Sequence, residues 1–96
     1  MNLSTVSYLE GLKESLKDPA EAAAYLDAAL EDGDQEVFLL ALRDVAEARG
    51  LTAVAQESQL NRENLYRMLS REGNPHLSSL NALLKSMGLR LAIESA

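Results

Sequence analysis

Hydrophobic positions recur at helical spacing over most of this chain, and turn signals divide them into separate helices. The apolar stripe predicts a first helix over residues 5–17. Asp18 and Pro19 predict the start of a second, because aspartate is a preferred cap and proline suits the first helical position. Gly33 predicts where this second helix ends, and a third helix is predicted over residues 34–49.

The third helix carries enough apolar residues to be largely buried. Its predicted inward face is Val37, Leu40, Ala41, Val45 and Ala48, widened by Phe38 and Leu42. Another helix is predicted over residues 77–87, with Gly88 ending it. Residues 51–69 lie between these two helices, and we expect the other helices to pack around them.

This stretch predicts two short helices, over residues 52–58 and 61–70, that cross through a tight turn at Gln59. The residues predicted to face inward are Val54, Ala55, Ser58, Leu60, Leu65 and Met68. Such a pair is the helix-turn-helix layout, whose second helix enters the DNA major groove. An ordinary helical hairpin with a polar outer face is the alternative.

The outer face of the second short helix carries side chains of the types that reach base edges or phosphates. These are Arg62, Glu63, Asn64, Tyr66 and Arg67, with Arg71 just beyond the helix. At the turn, Gln59 replaces the glycine that a left-handed corner usually has, which costs on the order of 1 kcal/mol.

The chain ends in a different pattern. Residues 89–94 alternate between apolar and polar or small side chains, which predicts a short β-strand. A single strand needs a second edge, so we expect its partner to come from another copy or from another protein. The alternative is an irregular tail whose alternation is accidental.

Charge is distributed unevenly. The net charge is -6, yet residues 59–96 hold five basic and three acidic side chains, whereas residues 1–58 hold four basic and twelve acidic ones. The second short helix therefore begins the basic part, as phosphate binding requires. The acidic part suits a basic protein partner, although solubility is an equally simple explanation.

Several function classes are disfavoured by what the sequence does not contain. There is no cysteine, and the single His76 has no paired ligands nearby, so we predict no metal site and no cofactor. No nucleophile pattern is present, which makes an enzyme the weakest hypothesis. The longest apolar run has six residues, which predicts a soluble, cytoplasmic protein without a membrane span.

Four stretches of the sequence resemble a known family over about residues 8–93: DPAEAAAYLDAALEDGD, LALRDVAEARG, LNRENLYRMLSREGNP and MGLRLAI. The chain resembles the addiction-module antidote proteins, helix-turn-helix antitoxins of bacterial toxin–antitoxin operons with an Xre- or phage-repressor-like DNA-binding core. The resemblance adds Thr52 and Asn61 to the expected DNA contacts. It implies a repressor of its own operon that also silences a basic, RelE/ParE-like toxin by binding it.

The combined expectation is an all-α protein of five to six helices with a repressor-like helix-turn-helix core and a short C-terminal β-strand. Residues 1–96 are expected to form a single domain, divided into acidic helices (1–33), the core (34–88) and the strand (89–94). One recognition helix offers too little surface for tight binding, so we expect a homodimer that reads half-sites about 34 Å apart. The alternative is a helical protein–protein interaction module that does not bind DNA.

Overall fold

The computed structural model describes the backbone of residues 3–96 and the side chains of residues 8–96. This part of the chain forms six helices: α1 (Leu3–Ser15), α2 (Pro19–Glu31), α3 (Gln35–Arg49), α4 (Leu51–Ser58), α5 (Arg62–Met68) and α6 (Leu77–Ser86). The all-α class is confirmed, and each helix boundary lies within one or two residues of its predicted position. None of these helices is both long and apolar enough to cross a membrane.

Three helices begin where a polar side chain caps the first turn. Oδ1 of Asp18 accepts a hydrogen bond from the Ala20 amide at 3.0 Å, and Asp34 caps α3 through the Glu36 amide at 2.9 Å. Asn61 caps α5 in the same way. Each cap satisfies an amide that has no partner within its own helix, which explains why the starts could be read from the sequence.

Helix α3 forms the centre of the fold and contacts α1, α2 and α4. Leu42, Val45 and Ala46 are completely buried, and α6 contributes the equally buried Leu83. The core also takes Leu16 from the end of α1 and the α2 residues Ala22, Leu26 and Ala29. The acidic N-terminal helices therefore provide part of the hydrophobic core as well as a charged surface.

The predicted inward face of α3 was partly wrong. Val37 and Leu40 are 38% and 36% exposed, whereas Leu39 and Ala46 are buried. Because apolar residues occur around most of the circumference of this helix, the period alone does not decide which of two neighbouring stripes meets the core. Packing between α2 and α3 leaves Val37 and Leu40 at the surface.

The predicted C-terminal strand is not seen in this single chain. Residues 89–96 have no regular secondary structure, and no strand occurs anywhere in residues 3–96. Leu89 packs against the core, and its amide donates to the Leu84 carbonyl at 2.9 Å. The physical reason is the missing second edge, because a strand has no hydrogen-bonding partner within this all-helical chain.

Candidate nucleic-acid interface

Helices α4 and α5 are joined by a three-residue turn at residues 59–61. Gln59 adopts φ 61° and ψ 24°, the left-handed conformation that the sequence predicted for this corner. Among the described residues, Gln59 is the only non-glycine residue with a positive φ angle. The backbone therefore reverses here without glycine, and the polar Gln59 side chain stays exposed.

Ser58 stabilises the same turn from inside. Its Oγ donates to the Val54 carbonyl at 2.6 Å and accepts from the Leu60 amide at 3.4 Å. The side chain is only 8% exposed, and these contacts satisfy its hydroxyl. The buried hydroxyl is thus fully paired where the chain leaves α4, which avoids the cost of a buried unpaired polar group.

The inward residues of the two short helices are placed as predicted. Val54 and Ala55 of α4 are buried, as are Leu65 and Met68 of α5, while Leu60 is partly buried against the core. Helix α4 also contacts α3 and α6, so α5 is attached to a supported platform. The apolar side of the seven-residue α5 packs against this platform, and its polar side faces solvent.

All eight residues predicted to contact DNA have exposed side chains: Thr52, Asn61, Arg62, Glu63, Asn64, Tyr66, Arg67 and Arg71. Six of them lie on α5 or at its cap. Thr52 lies in the first turn of α4, and Arg71 follows α5. The exposure of these residues is what binding requires, while contact with DNA stays a prediction.

Asn61 caps α5, and this structural role restricts how its side chain can contact DNA. Its Oδ1 accepts a hydrogen bond from the Asn64 amide at 2.7 Å and so caps α5. The carboxamide nitrogen is the remaining polar group of this side chain, and it is a donor. A donor at this position can contact a phosphate oxygen while the oxygen of the same side chain maintains the cap.

The two arginines of α5 differ in their surroundings. Nη2 of Arg67 lies 3.5 Å from Oε1 of Glu63, one turn earlier, and both side chains are largely exposed. Such a surface pair is worth little and leaves the guanidinium available. Among the described residues no carboxylate lies within ion-pair distance of Arg62. Arg62 therefore carries an uncompensated positive charge.

Two contacts that the sequence did not reveal connect α5 and its following loop to α3. The guanidinium carbon of Arg43 lies 5.6 Å from the centre of the Tyr66 ring, within the range of a cation–π contact. Nε of Arg71 pairs with Oε1 of Glu36 at 2.6 Å. The partners lie more than twenty residues apart, so no local pattern could have indicated them.

The loop after α5 is held by a further bond. Nε2 of Gln35 donates to the Gly73 carbonyl at 2.9 Å. Gly73 is buried, and a Cβ there would lie 2.2 Å from the Met68 carbonyl oxygen. The loop thus folds closely against the end of α5, where a larger residue does not fit. This arrangement fixes Arg71 on the same side of the molecule as α5.

A second surface lies between α2, which is one of the acidic helices, and α3. A shallow cleft of about 420 Å³ is lined by residues that include Tyr25, Val37 and Leu40, with Asp32 and Asp44 beside them. The Tyr25 hydroxyl donates to Oδ2 of Asp44 at 2.7 Å. Burial first, and then this hydrogen bond, raise the pKa of Tyr25 from 10.0 to about 12. The surface combines apolar side chains with carboxylates.

Comparisons with known proteins cover almost the entire chain. Residues 8–95 match a family described as probable addiction module antidote protein. An uncharacterised protein of Haemophilus influenzae is 31% identical over 83 residues, which are 86% of this chain and 86% of that protein. No solved structure matches the chain.

Proposed function

The chain belongs to the family of probable addiction module antidote proteins, and from this premise we propose that it is the antitoxin of a type II toxin–antitoxin module. It binds operator DNA through α4 and α5 and represses its own operon. It also neutralises a RelE/ParE-like toxin by direct binding. It acts in the cytoplasm and as a homodimer.

The observation that supports DNA binding best is the exposed polar face of α5 on a buried apolar support. Leu65 and Met68 are 1% and 9% exposed, whereas Arg62 and Arg67 on the same helix point to solvent. Arginine is the side chain that most often reads guanine and also binds phosphate. The short, well-supported α5 is therefore proposed as the recognition helix, with α4 crossing the DNA backbone.

The remaining predicted contacts are proposed to position this helix. Thr52, Asn61 and Arg71 flank α5, and each can donate to phosphate oxygens. The Glu36–Arg71 pair leaves the guanidinium largely exposed, so Arg71 can exchange one carboxylate contact for phosphate. Glu63, Asn64 and Tyr66 are proposed to contact base edges, with Glu63 as the acceptor.

The acidic helices are proposed to bind the toxin. Residues 1–33 contain seven acidic and two basic side chains, a surface that repels phosphate and attracts a basic protein. Apolar side chains are exposed among these charges, including Tyr8 (69%), Leu9 (56%) and Leu30 (50%). Complementary charge speeds association, and burial of these apolar groups supplies the lasting contact.

The experiment that tests DNA binding is a titration of a fluorescent duplex carrying the upstream region of the protein's own operon. Arg62→Ala and Arg67→Ala are compared with Lys13→Ala, which removes the same charge from the exposed surface of α1. We expect each α5 variant to lose about 1–3 kcal/mol of binding free energy, roughly 5- to 150-fold in affinity. The Lys13 variant should bind as the unchanged protein does.

The alternative function is a helical interaction module that binds a basic protein and no DNA. Its support is the acidic, partly apolar surface between α2 and α3. If the unchanged protein does not bind the duplex at any salt concentration, this alternative replaces the DNA-binding proposal. Binding that both arginine variants retain in full would place the DNA contact on a different surface.

A further inference from the structure

Among the described residues, the backbone of residues 90–96 has no hydrogen-bonding partner. After the Leu89 amide, no backbone or side-chain hydrogen bond involves residues 90–96 in the described part of the chain. Ile93 is 99% exposed and Leu91 40% exposed. Free amide and carbonyl groups beside exposed apolar side chains are the features of an unpaired strand edge, which readily accepts another strand.

The sequence of this segment is complementary to itself. In an antiparallel pair centred on Ala92, residue 90 of one copy lies directly opposite residue 94 of the other, and 91 lies opposite 93. Arg90 then faces the other copy's Glu94 twice, once on each side of the centre. Leu91 faces Ile93 twice on the opposite side of the strands, and the small Ala92 faces itself. Opposite charges and apolar pairs at facing positions stabilise antiparallel strands.

From these observations we infer that residues 90–94 of two copies pair as antiparallel strands centred on Ala92, with two Arg90–Glu94 ion pairs across a two-fold axis. This assigns a second copy of the chain as the partner of the free edge. The register follows from the side chains, since a shift by one residue would place apolar and charged residues opposite each other.

A neighbouring cleft borders the segment and offers further surface beside the five paired residues. It has a volume of about 600 Å³ and is lined by α2, α3 and α6 residues, including Leu26, Leu30 and Phe38, together with residues 89–92 and 94 of the terminal segment. Ile93 does not line it. In the inferred register the other copy's residue 93 lies opposite Leu91, which borders this cleft. An isologous contact of this kind repeats on both copies.

The inference rests on the homodimer of the proposed function but on neither its DNA contacts nor its toxin. The test uses full-length protein with the charge reversals Arg90→Glu and Glu94→Arg, studied separately, mixed in equal amounts, and combined in one chain. Native mass spectrometry and analytical ultracentrifugation measure dimer formation. Lys13→Glu and Glu72→Arg are the matched controls, because they make the same charge changes at exposed positions outside both the segment and the proposed DNA-binding surface.

The expected results follow a charge-exchange pattern. Each single reversal places like charges opposite each other twice and should raise the dimer dissociation constant by about tenfold or more. Mixing the two variants should restore association as a heterodimer, since every facing pair is then opposite in charge. The combined variant should associate as the unchanged protein does, and both controls should dimerise normally. The differences should shrink at high salt.

Three outcomes would overturn the inference: a monomeric unchanged protein, single variants with unaltered association, or a mixture that stays dissociated. If the reversals change only the affinity for the proposed basic toxin, the edge serves that protein instead of a second copy, and the inference is wrong. Operator binding is measured on the same samples. A charge-exchange pattern without operator binding leaves this inference intact and contradicts the DNA-binding proposal.

Discussion

Gln59 forms the corner between α4 and α5 in a left-handed conformation, with φ 61°. Glycine adopts this conformation without steric cost, although it also increases the freedom of the unfolded chain. We therefore expect Gln59→Gly to be neutral or to stabilise by up to about 1 kcal/mol. Gln59→Val, which is β-branched, should destabilise by at least about 1 kcal/mol. Thermal unfolding followed by circular dichroism measures both, and a stable valine variant would contradict the role of this conformation.

The raised pKa of Tyr25 predicts that the stability of the folded protein decreases at alkaline pH. Burial and the Asp44 hydrogen bond raise its pKa from 10.0 to about 12, so the folded state keeps the phenol proton where the unfolded state has lost it. The contribution is complete below pH 10 and is lost as the pH rises to about 12. The difference in melting temperature between the unchanged protein and Tyr25→Phe should therefore be constant up to pH 10 and decrease above it. A difference independent of pH up to 12 would contradict this assignment.

Local chemistry decided how well single residues could be predicted. The caps Asp18 and Asp34 act within two residues of their own position, so the sequence alone indicated them correctly. Glu21, three residues after Asp18, occupies the position of a capping-box acid, but its Oε2 accepts from the Ser15 hydroxyl at 2.9 Å instead. That contact depends on how α1 meets α2, which no local rule contains.

Two glycines differ in the space around them: Gly11 lies on an open helix surface, and Gly73 lies in a closely packed loop. A Cβ at Gly11, within α1, meets nothing within 4 Å, whereas at Gly73 it would lie 2.2 Å from the Met68 carbonyl oxygen. Gly11→Ala should stabilise by about 0.5–1 kcal/mol through helix propensity. Gly73→Ala should destabilise by about 1–3 kcal/mol, because backbone has to shift. Chemical denaturation of the two variants should give changes of opposite sign, and equal behaviour would mean that the loop yields easily.

The positions of the helices could be predicted from the sequence, but the buried face of α3 and the pairing of the terminal segment could not. The buried side of α4 and α5 was correct because Val54, Leu65 and Met68 leave a single apolar stripe. For α3 the stripe was ambiguous, and contact with α2 decided it. The terminal strand was predicted from alternation alone. Alternation indicates that a segment can form a strand, but a strand also needs a neighbouring strand to pair with.

The two proposed binding surfaces, one acidic for the toxin and one with arginines for DNA, are built on the same hydrophobic core. Removing the acidic helices is no clean test of toxin binding, because Leu16 and Leu26 are 2% and 5% exposed and belong to that core. Substitutions at exposed acidic residues separate surface from core. Glu10, Asp32 and Glu14 are exposed, as are Glu57 and Glu72 outside residues 1–33.

We expect Glu10→Gln combined with Asp32→Asn to slow association with the proposed basic toxin. The reduction should be about several-fold at low salt and smaller at high salt, because steering acts on the association rate. Glu57→Gln combined with Glu72→Gln is the matched control and should leave this rate unchanged. Surface plasmon resonance gives the rates, and equal slowing by both pairs would mean that net charge alone attracts the partner.

The shortness of α5 limits how much sequence information the proposed repressor can extract. Seven residues at about 1.5 Å each span roughly 10 Å, the length of about three base pairs. Two such half-sites specify about six base pairs, a string that recurs by chance roughly once in 4,000, so a genome of ~10⁶ base pairs offers on the order of hundreds of matches. Distinguishing the operator from these matches then depends on half-site spacing, on DNA deformability between the half-sites, or on several operators bound together.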